Sequence, residues 1–175
     1  MKKLLIIVDY QYDFVNGSLG FEGAEKLIPI IKEKIETYLN NNDDIIYTLD
    51  THEENYLTNT MEGKILPIKH CLKNSEGWKV VSDVDYLDKA IKIFEKPTFP
   101  SLDLANYLKD KEYQEVELCG LVSNICVMTN AVMVKASLPN AKIIVDAKAT
   151  DSFNKDLHEK CLDILEGIHI SVINR

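Results

Sequence analysis

Six short apolar runs recur along the chain: Leu4–Val8, Ile45–Leu49, Ala90–Phe94, Val116–Cys119, Lys142–Val145 and Ile168–Ile173. Most are continuous rather than alternating, as expected for strands buried on both faces. Between most of them the period changes to that of a helix. Ala24–Leu39 sets Leu27, Ile28, Ile31, Ile35 and Leu39 at helical spacing, and Asn154–Leu165 sets Leu157, Cys161, Leu162 and Leu165 on one face. Ser101 reads as the N-cap of a helix over Leu102–Lys109. Asn124–Leu138 reads as a helix with almost no charge, hence a buried one. The stretch Thr51–Asp88 has weak periodicity and scattered turn residues, so it is expected to be a long irregular excursion, a type of segment that often carries function.

Alternating strands and helices predict an α/β fold. The expected architecture is a Rossmann-like, three-layer α/β/α arrangement around a mostly parallel sheet of about six strands. No linker, repeat or low-complexity tract divides the chain, so residues 1–175 are expected to form a single domain. In such folds ligands bind beyond the carboxyl ends of the strands, and that edge is where chemistry is sought.

Composition narrows the partners more than the reaction. A net charge of −8 argues against nucleic acid or an anionic membrane surface. No stretch reaches the ~20 apolar residues of a membrane span. The start MKKLLIIVDYQYDF carries two lysines and an apolar run, but the run is short and Asp9 and Asp13 follow, so it reads as a first strand rather than a leader. Four cysteines, at 71, 119, 126 and 161, show no paired spacing, which predicts reduced thiols and a cytoplasmic protein. A small-molecule ligand and a homo-oligomeric assembly are expected.

Four reactive residues fall at the carboxyl ends of successive strands. Asp9 ends the first, Asp50 the second, Lys96 follows the third and Cys126 follows the fourth. Singly, each has an ordinary structural reading: a loop cap, a turn residue, a solvated lysine, a small apolar side chain. Together at one edge they describe acyl transfer through a thioester. Cys126 would lie in the first turn of a buried helix, where N–H groups and the dipole bias a thiol toward thiolate and could also hold an oxyanion. Asp9 could take the thiol proton and later deliver it to a leaving amine. Lys96 would lower the thiol pKa and hold the carboxylate.

Asp50, His52 and His70 form a second set. Two histidines and a carboxylate with open positions suit a divalent metal, Zn²⁺ or else Mn²⁺ or Fe²⁺. The alternative is that both histidines bond only to loop backbone. His158 and His169 read as structural or surface residues.

The segments VDYQYDF, DTH, LPIKHC, EKPTF and GLVSNICV, spread over the whole chain, resemble the isochorismatase-like cysteine hydrolases. The resemblance implies a triad of Asp9, Lys96 and Cys126, a cis peptide between Leu121 and Val122, and an oxyanion hole from the Val122 and Cys126 N–H groups. Within the family, Asp50, His52 and His70 resemble the metal set of the nicotinamidase branch, which hydrolyses nicotinamide to nicotinate and ammonia. Phe14 would then pack against the substrate. Thr51 stands where that branch usually has Trp, the following EENYLTNT lacks its further His and Ser-Phe pair, and Lys96-Pro97 is commoner among the family's other hydrolases. A metal-free amidase acting on ureido or carbamoyl amides, and a non-catalytic binding protein, are the alternatives.

Overall fold

The computed structural model describes residues 2–175. Its centre is a six-stranded sheet of β1 (Leu4–Val8), β2 (Asp44–Asp50), β3 (Lys92–Lys96), β4 (Glu115–Gly120), β5 (Lys142–Thr150) and β6 (Ser171–Ile173). The order is β3-β2-β1-β4-β5-β6, and every neighbouring pair is parallel. The expected "mostly parallel" sheet is thus wholly parallel. Helices follow strands as α1 (Tyr12–Val15), α2 (Ile28–Asn40), α3 (Tyr56–Asn59), α4 (Met61–Ile65), α5 (Leu102–Leu108), α6 (Met128–Ser137) and α7 (Lys155–Gly167).

The continuous apolar runs are explained by a core on each face. Leu5 and Ile7 of β1 pack with Ile31 and Ile35 of α2. Leu4, Ile6 and Val8 face the other way, onto Leu104 and Leu108 of α5, Ala131 and Val134 of α6, and Leu162 and Leu165 of α7. Each fully buried aliphatic side chain contributes roughly 1.5–3 kcal/mol of transfer free energy, so β1 is held from both sides. Ser101 caps α5 as expected, accepting from Leu104 N–H at 3.1 Å, and Asn154 caps α7 in the same way at 3.0 Å.

Several boundaries differ from the sequence reading. β3 is shifted to Lys92–Lys96, because pairing with Ile46–Asp50 of β2 sets it, and its burial alternates as an edge strand's does. β5 runs on to Thr150 through a register shift between Leu118 and Gly120 of its partner. The expected strand over Ile168–Ile173 begins only at Ser171, since Ile168 and Ile170 donate back to the end of α7 and His169 takes a left-handed turn at φ 63°. The helix over Ala24–Leu39 opens as a 3₁₀ turn at Ala24–Leu27, and Pro29 then sits in the first turn of α2. The excursion over Thr51–Asp88 is irregular as expected, but includes the short helices α3 and α4.

Candidate active site

Asp9 leaves β1 at φ 46°, in the left-handed region, so the chain turns away from the sheet as soon as the strand ends. Its Oδ1 accepts from Thr48 Oγ1 at 2.7 Å, and its Oδ2 lies 2.5 Å from Lys96 Nζ. That contact is a fully buried ion pair. Lys96 and Asp50 are the last residues of β3 and β2 and stand opposite each other in register. Lys96 Nζ is 3.3 Å from Asp50 Oδ1, donates to Thr98 O at 3.1 Å, and reaches Cys126 Sγ at 3.6 Å. All four side chains are buried, Lys96 to 1% exposure and Cys126 to 5%.

The turn that leads to Cys126 is built on Gly120. Its φ is 114°, and a Cβ there would sit 2.0 Å from Val8 O, so only glycine lets β4 pass β1 this closely. The Leu121–Val122 peptide is cis. Val122 N–H has no backbone acceptor among the described residues. The expected helix over Asn124–Leu138 is split: Ser123–Val127 forms a π turn that contains Cys126, and α6 follows.

The electrostatics bear on one expectation. Burial pushes the Cys126 thiol up; Lys96 opposes this, while Asp9 and Asp50 add to it. Burial also raises the carboxyl of Asp9, against the pull of Lys96. Lys96 is disfavoured as a cation by burial, but Asp9, Cys126 and Asp50 outweigh that and hold it charged. One ammonium already faces two carboxylates, and a thiolate would be a third anion around it. These buried surroundings work against the bias toward thiolate expected from a helix start, and beside the sulfur lies a carboxylate of raised proton affinity.

Asp50 faces the second set through its other oxygen. Asp50 Oδ2 lies 3.0 Å from His52 Nε2 and 3.2 Å from His70 Nε2. His70 Nδ1 is 2.8 Å from Ile68 O, a contact that makes Nδ1 a donor and turns Nε2 toward the cluster. A fourth member was not legible in the sequence: Glu62 of α4 places Oε1 3.7 Å from His52 Nε2 and 3.8 Å from His70 Nε2. Donor atoms of all four residues lie within 4.8 Å of one another. Glu62 Oε2 is buried without a hydrogen-bond partner. Two carboxylates, two imidazoles and an orphaned buried oxygen fit a divalent cation. Nothing in the spacing of Glu62 marks it, since it comes from a short helix inside the irregular excursion.

Between the two sets lies a cavity of about 380 Å³. Asp50, Glu62 and His70 line one part, and Val122, Ile125 and Cys126 another. Phe14 lines it as expected, with its ring edge-on to His70 at 5.8 Å. Leu19, Phe99 and Phe153 complete its apolar wall and were not singled out by sequence. His158 lies behind the turn that leads to Cys126, its Nδ1 2.9 Å from Ser123 Oγ, and is a buried structural residue as expected.

A doubly covered parallel sheet with a thiol, a carboxylate and a lysine gathered at its carboxyl edge is an isochorismatase-like α/β fold. The chain belongs to the isochorismatase family: the isochorismatase domain matches residues 3–174. The solved structures it resembles include the nicotinamidase/pyrazinamidase PncA of Bacillus subtilis and the N-carbamoylsarcosine amidase of Thermoplasma acidophilum. The nicotinamidase of Acinetobacter baylyi is 23% identical over 191 residues, covering 92% of this chain and 87% of that protein. The crystal structure of the pyrazinamidase of Pyrococcus horikoshii in complex with zinc superposes with a TM-score of 0.87 at 24% identity, over 100% of both chains, a likeness of fold. That of the nicotinamidase PncA from Bacillus subtilis gives 0.82 at 26% identity, over 98% of this chain and 99% of the other. No helix among the described residues is long and apolar enough to cross a membrane.

Proposed function

We propose that the protein hydrolyses nicotinamide, or a closely similar heteroaromatic amide, to the acid and ammonia through a thioester on Cys126. The observation that carries this reading is the cavity itself. One apolar, aromatic-walled space has a thiol in one part and a cation-type donor set in another. A flat ring with an amide on one side and a basic ring nitrogen on the other matches both.

Asp50, His52, Glu62 and His70 would hold a divalent metal, and Zn²⁺ suits the donor set. Bound there, it supplies a Lewis-acid contact for a ring-nitrogen lone pair. The chain's own residues do the rest. Phe14 packs the ring and sets the amide carbon against Cys126 Sγ. As the sulfur attacks, Asp9 Oδ2 takes the thiol proton, which its raised proton affinity favours. The N–H groups of Val122 and Cys126 receive the developing oxyanion. Lys96 keeps its charge throughout and fixes Asp9. Asp9 then gives the proton to the leaving nitrogen, the C–N bond breaks, and ammonia departs. Asp9 next takes a proton from water as the water attacks the thioester, and the C–S bond breaks to return the thiol and release the acid.

The test is ammonia release from nicotinamide, pyrazinamide, benzamide and small carbamoyl amides. Nicotinamide should be turned over well and benzamide, which has no ring nitrogen, poorly. Cys126→Ala should lose at least ~10³-fold in turnover. Full activity in that variant defeats the mechanism, and a preference for carbamoyl amides defeats the substrate.

A further inference from the structure

The motif VDYQYDF supplies Asp9 and Phe14 to the site, but Gln11 and Asp13 lie within it and touch neither the thiol nor the cavity. Both are spent on backbone at the other cluster. Beyond Val8 and Thr48 the β1–β2 pairing stops, because the chain turns off at Asp9. β2 nonetheless runs on to Asp50, whose N–H and C=O would be left open. The Gln11 carboxamide replaces the missing strand. Asp50 N donates to Gln11 Oε1 at 2.8 Å, and Gln11 Nε2 donates to Asp50 O at 2.9 Å. The same Nε2 donates to Trp78 O at 2.7 Å, and the side chain is fully buried. A carboxamide has the donor and acceptor of a peptide group, so Asp50 is held as though still inside the sheet.

Asp13 does the equivalent for the histidine loop. Its Oδ2 accepts from Cys71 N at 2.7 Å, and Cys71 holds the left-handed φ of 44° directly after His70. The carbonyl of Cys71 in turn accepts from His52 N at 3.0 Å. Room for this carboxylate is made by two glycines: a Cβ on Gly77 would lie 2.1 Å from Asp13 Oδ2, and one on Gly17 2.3 Å from Oδ1. We infer that Gln11 and Asp13 are positioning residues for the metal-ligand set: Gln11 fixes the Asp50 backbone, and Asp13 fixes the turn that places His70 and His52. The two differ in reach. Asp50 also contacts Lys96, so Gln11 bears on the thiol cluster as well, whereas Asp13, whose Oδ1 accepts from Ser18 N at 3.2 Å, contacts no member of that cluster.

The inference rests on the metal reading above, and the experiment separates the two. Apo protein is titrated calorimetrically with Zn²⁺, and alkylation of Cys126 by iodoacetamide is timed at one fixed pH. Gln11→Met and Asp13→Ala should each weaken Zn²⁺ binding by roughly 10–100-fold, as expected when the support of a ligand is removed. Asp13→Asn, which keeps one acceptor for Cys71 N–H, should recover most of that loss. Gln11→Met should also change the alkylation rate at least ~3-fold, because Asp50 contacts Lys96, which faces the sulfur, while Asp13→Ala leaves it within about 2-fold of wild type. A merely structural role lowers the unfolding temperature without moving the affinity of the folded protein. Should Gln11→Met fail to fold, the two Asp13 variants carry the comparison. Wild-type binding within 2-fold in the folded variants overturns the inference. A wild-type protein that binds no Zn²⁺ defeats the metal reading instead, and the inference is then decided by the alkylation split: present, it stands for Asp50; absent, it falls.

Discussion

The cluster around Lys96 and the cluster around His52 share Asp50, yet their charges are completed differently. Around Lys96, a buried ammonium is already paired with Asp9 and Asp50, and burial pushes the thiol beside them up. Around His52 there are two carboxylates and two imidazoles but no fixed cation, and one Glu62 oxygen has no partner. The first cluster can move a proton among its own members. The second is arranged to receive a positive charge from outside. A buried, closed network and a buried, open one thus sit either side of one aspartate, and burial costs each of them unless its charges are met.

Removing the internal cation tests the closed side and should have the largest effect. Lys96→Ala leaves Asp9 and Asp50 buried together, so stability should fall by roughly 3–5 kcal/mol in denaturant unfolding at neutral pH. Activity should fall at least ~10³-fold in the same protein, measured as ammonia release. Loss of activity with stability intact would mean that the cluster does not depend on its ammonium.

Supplying the external cation tests the open side. Zn²⁺ at about 100 times its Kd should stabilise the wild-type protein by roughly 2.7 kcal/mol, seen as a rise in unfolding temperature that chelation reverses. Glu62→Ala should reduce the affinity at least ~10-fold, judged by the same shift at fixed Zn²⁺. An unchanged shift in that variant would return the set to the three residues read from the sequence.

The smallest effect concerns the support behind the closed cluster. Burial lowers the pKa of His158 from its usual 6.5. A neutral His158 therefore contributes stability that is present above pH 6.5 and is lost as pH falls below it toward the folded-state value. Between pH 7 and pH 5, His158→Gln should lose less stability than wild type in parallel denaturant titrations. An equal loss in both would remove His158 from the acid response.

How far the sequence reveals each region follows from the physics of the segment. β1, β2 and β4 are buried on both faces, so their apolar runs locate them within a residue or two, and Asp9 and Asp50 fall at the ends of the first two. β3 is an edge strand with exposed Lys92, Ile93 and Glu95, so its apolar run, Ala90–Phe94, pointed two residues early. Asp50, His52 and His70 were legible as residue types able to bind one ion. Glu62 was not, because it is brought in by two one-turn helices whose existence depends on tertiary packing rather than on any period. Phe99 and Phe153 escaped for the same reason, each lying in a connection just beyond a strand end.

The strand order has a bearing on how the active centre comes into being. Asp9 leaves β1 and Cys126 follows β4, neighbours in the sheet that are separated in the chain by both other strands of the first half and by α2. Parallel pairings between such distant segments close late and slowly, because the intervening loop entropy must be met first. A nascent or truncated chain that has formed β1, β2 and β3 already holds Asp9, Asp50 and Lys96 on adjacent strands, but no sulfur. Recovery of catalysis on refolding therefore reports the joining of the two halves of the sheet, and should lag behind the return of helical signal from segments such as α2.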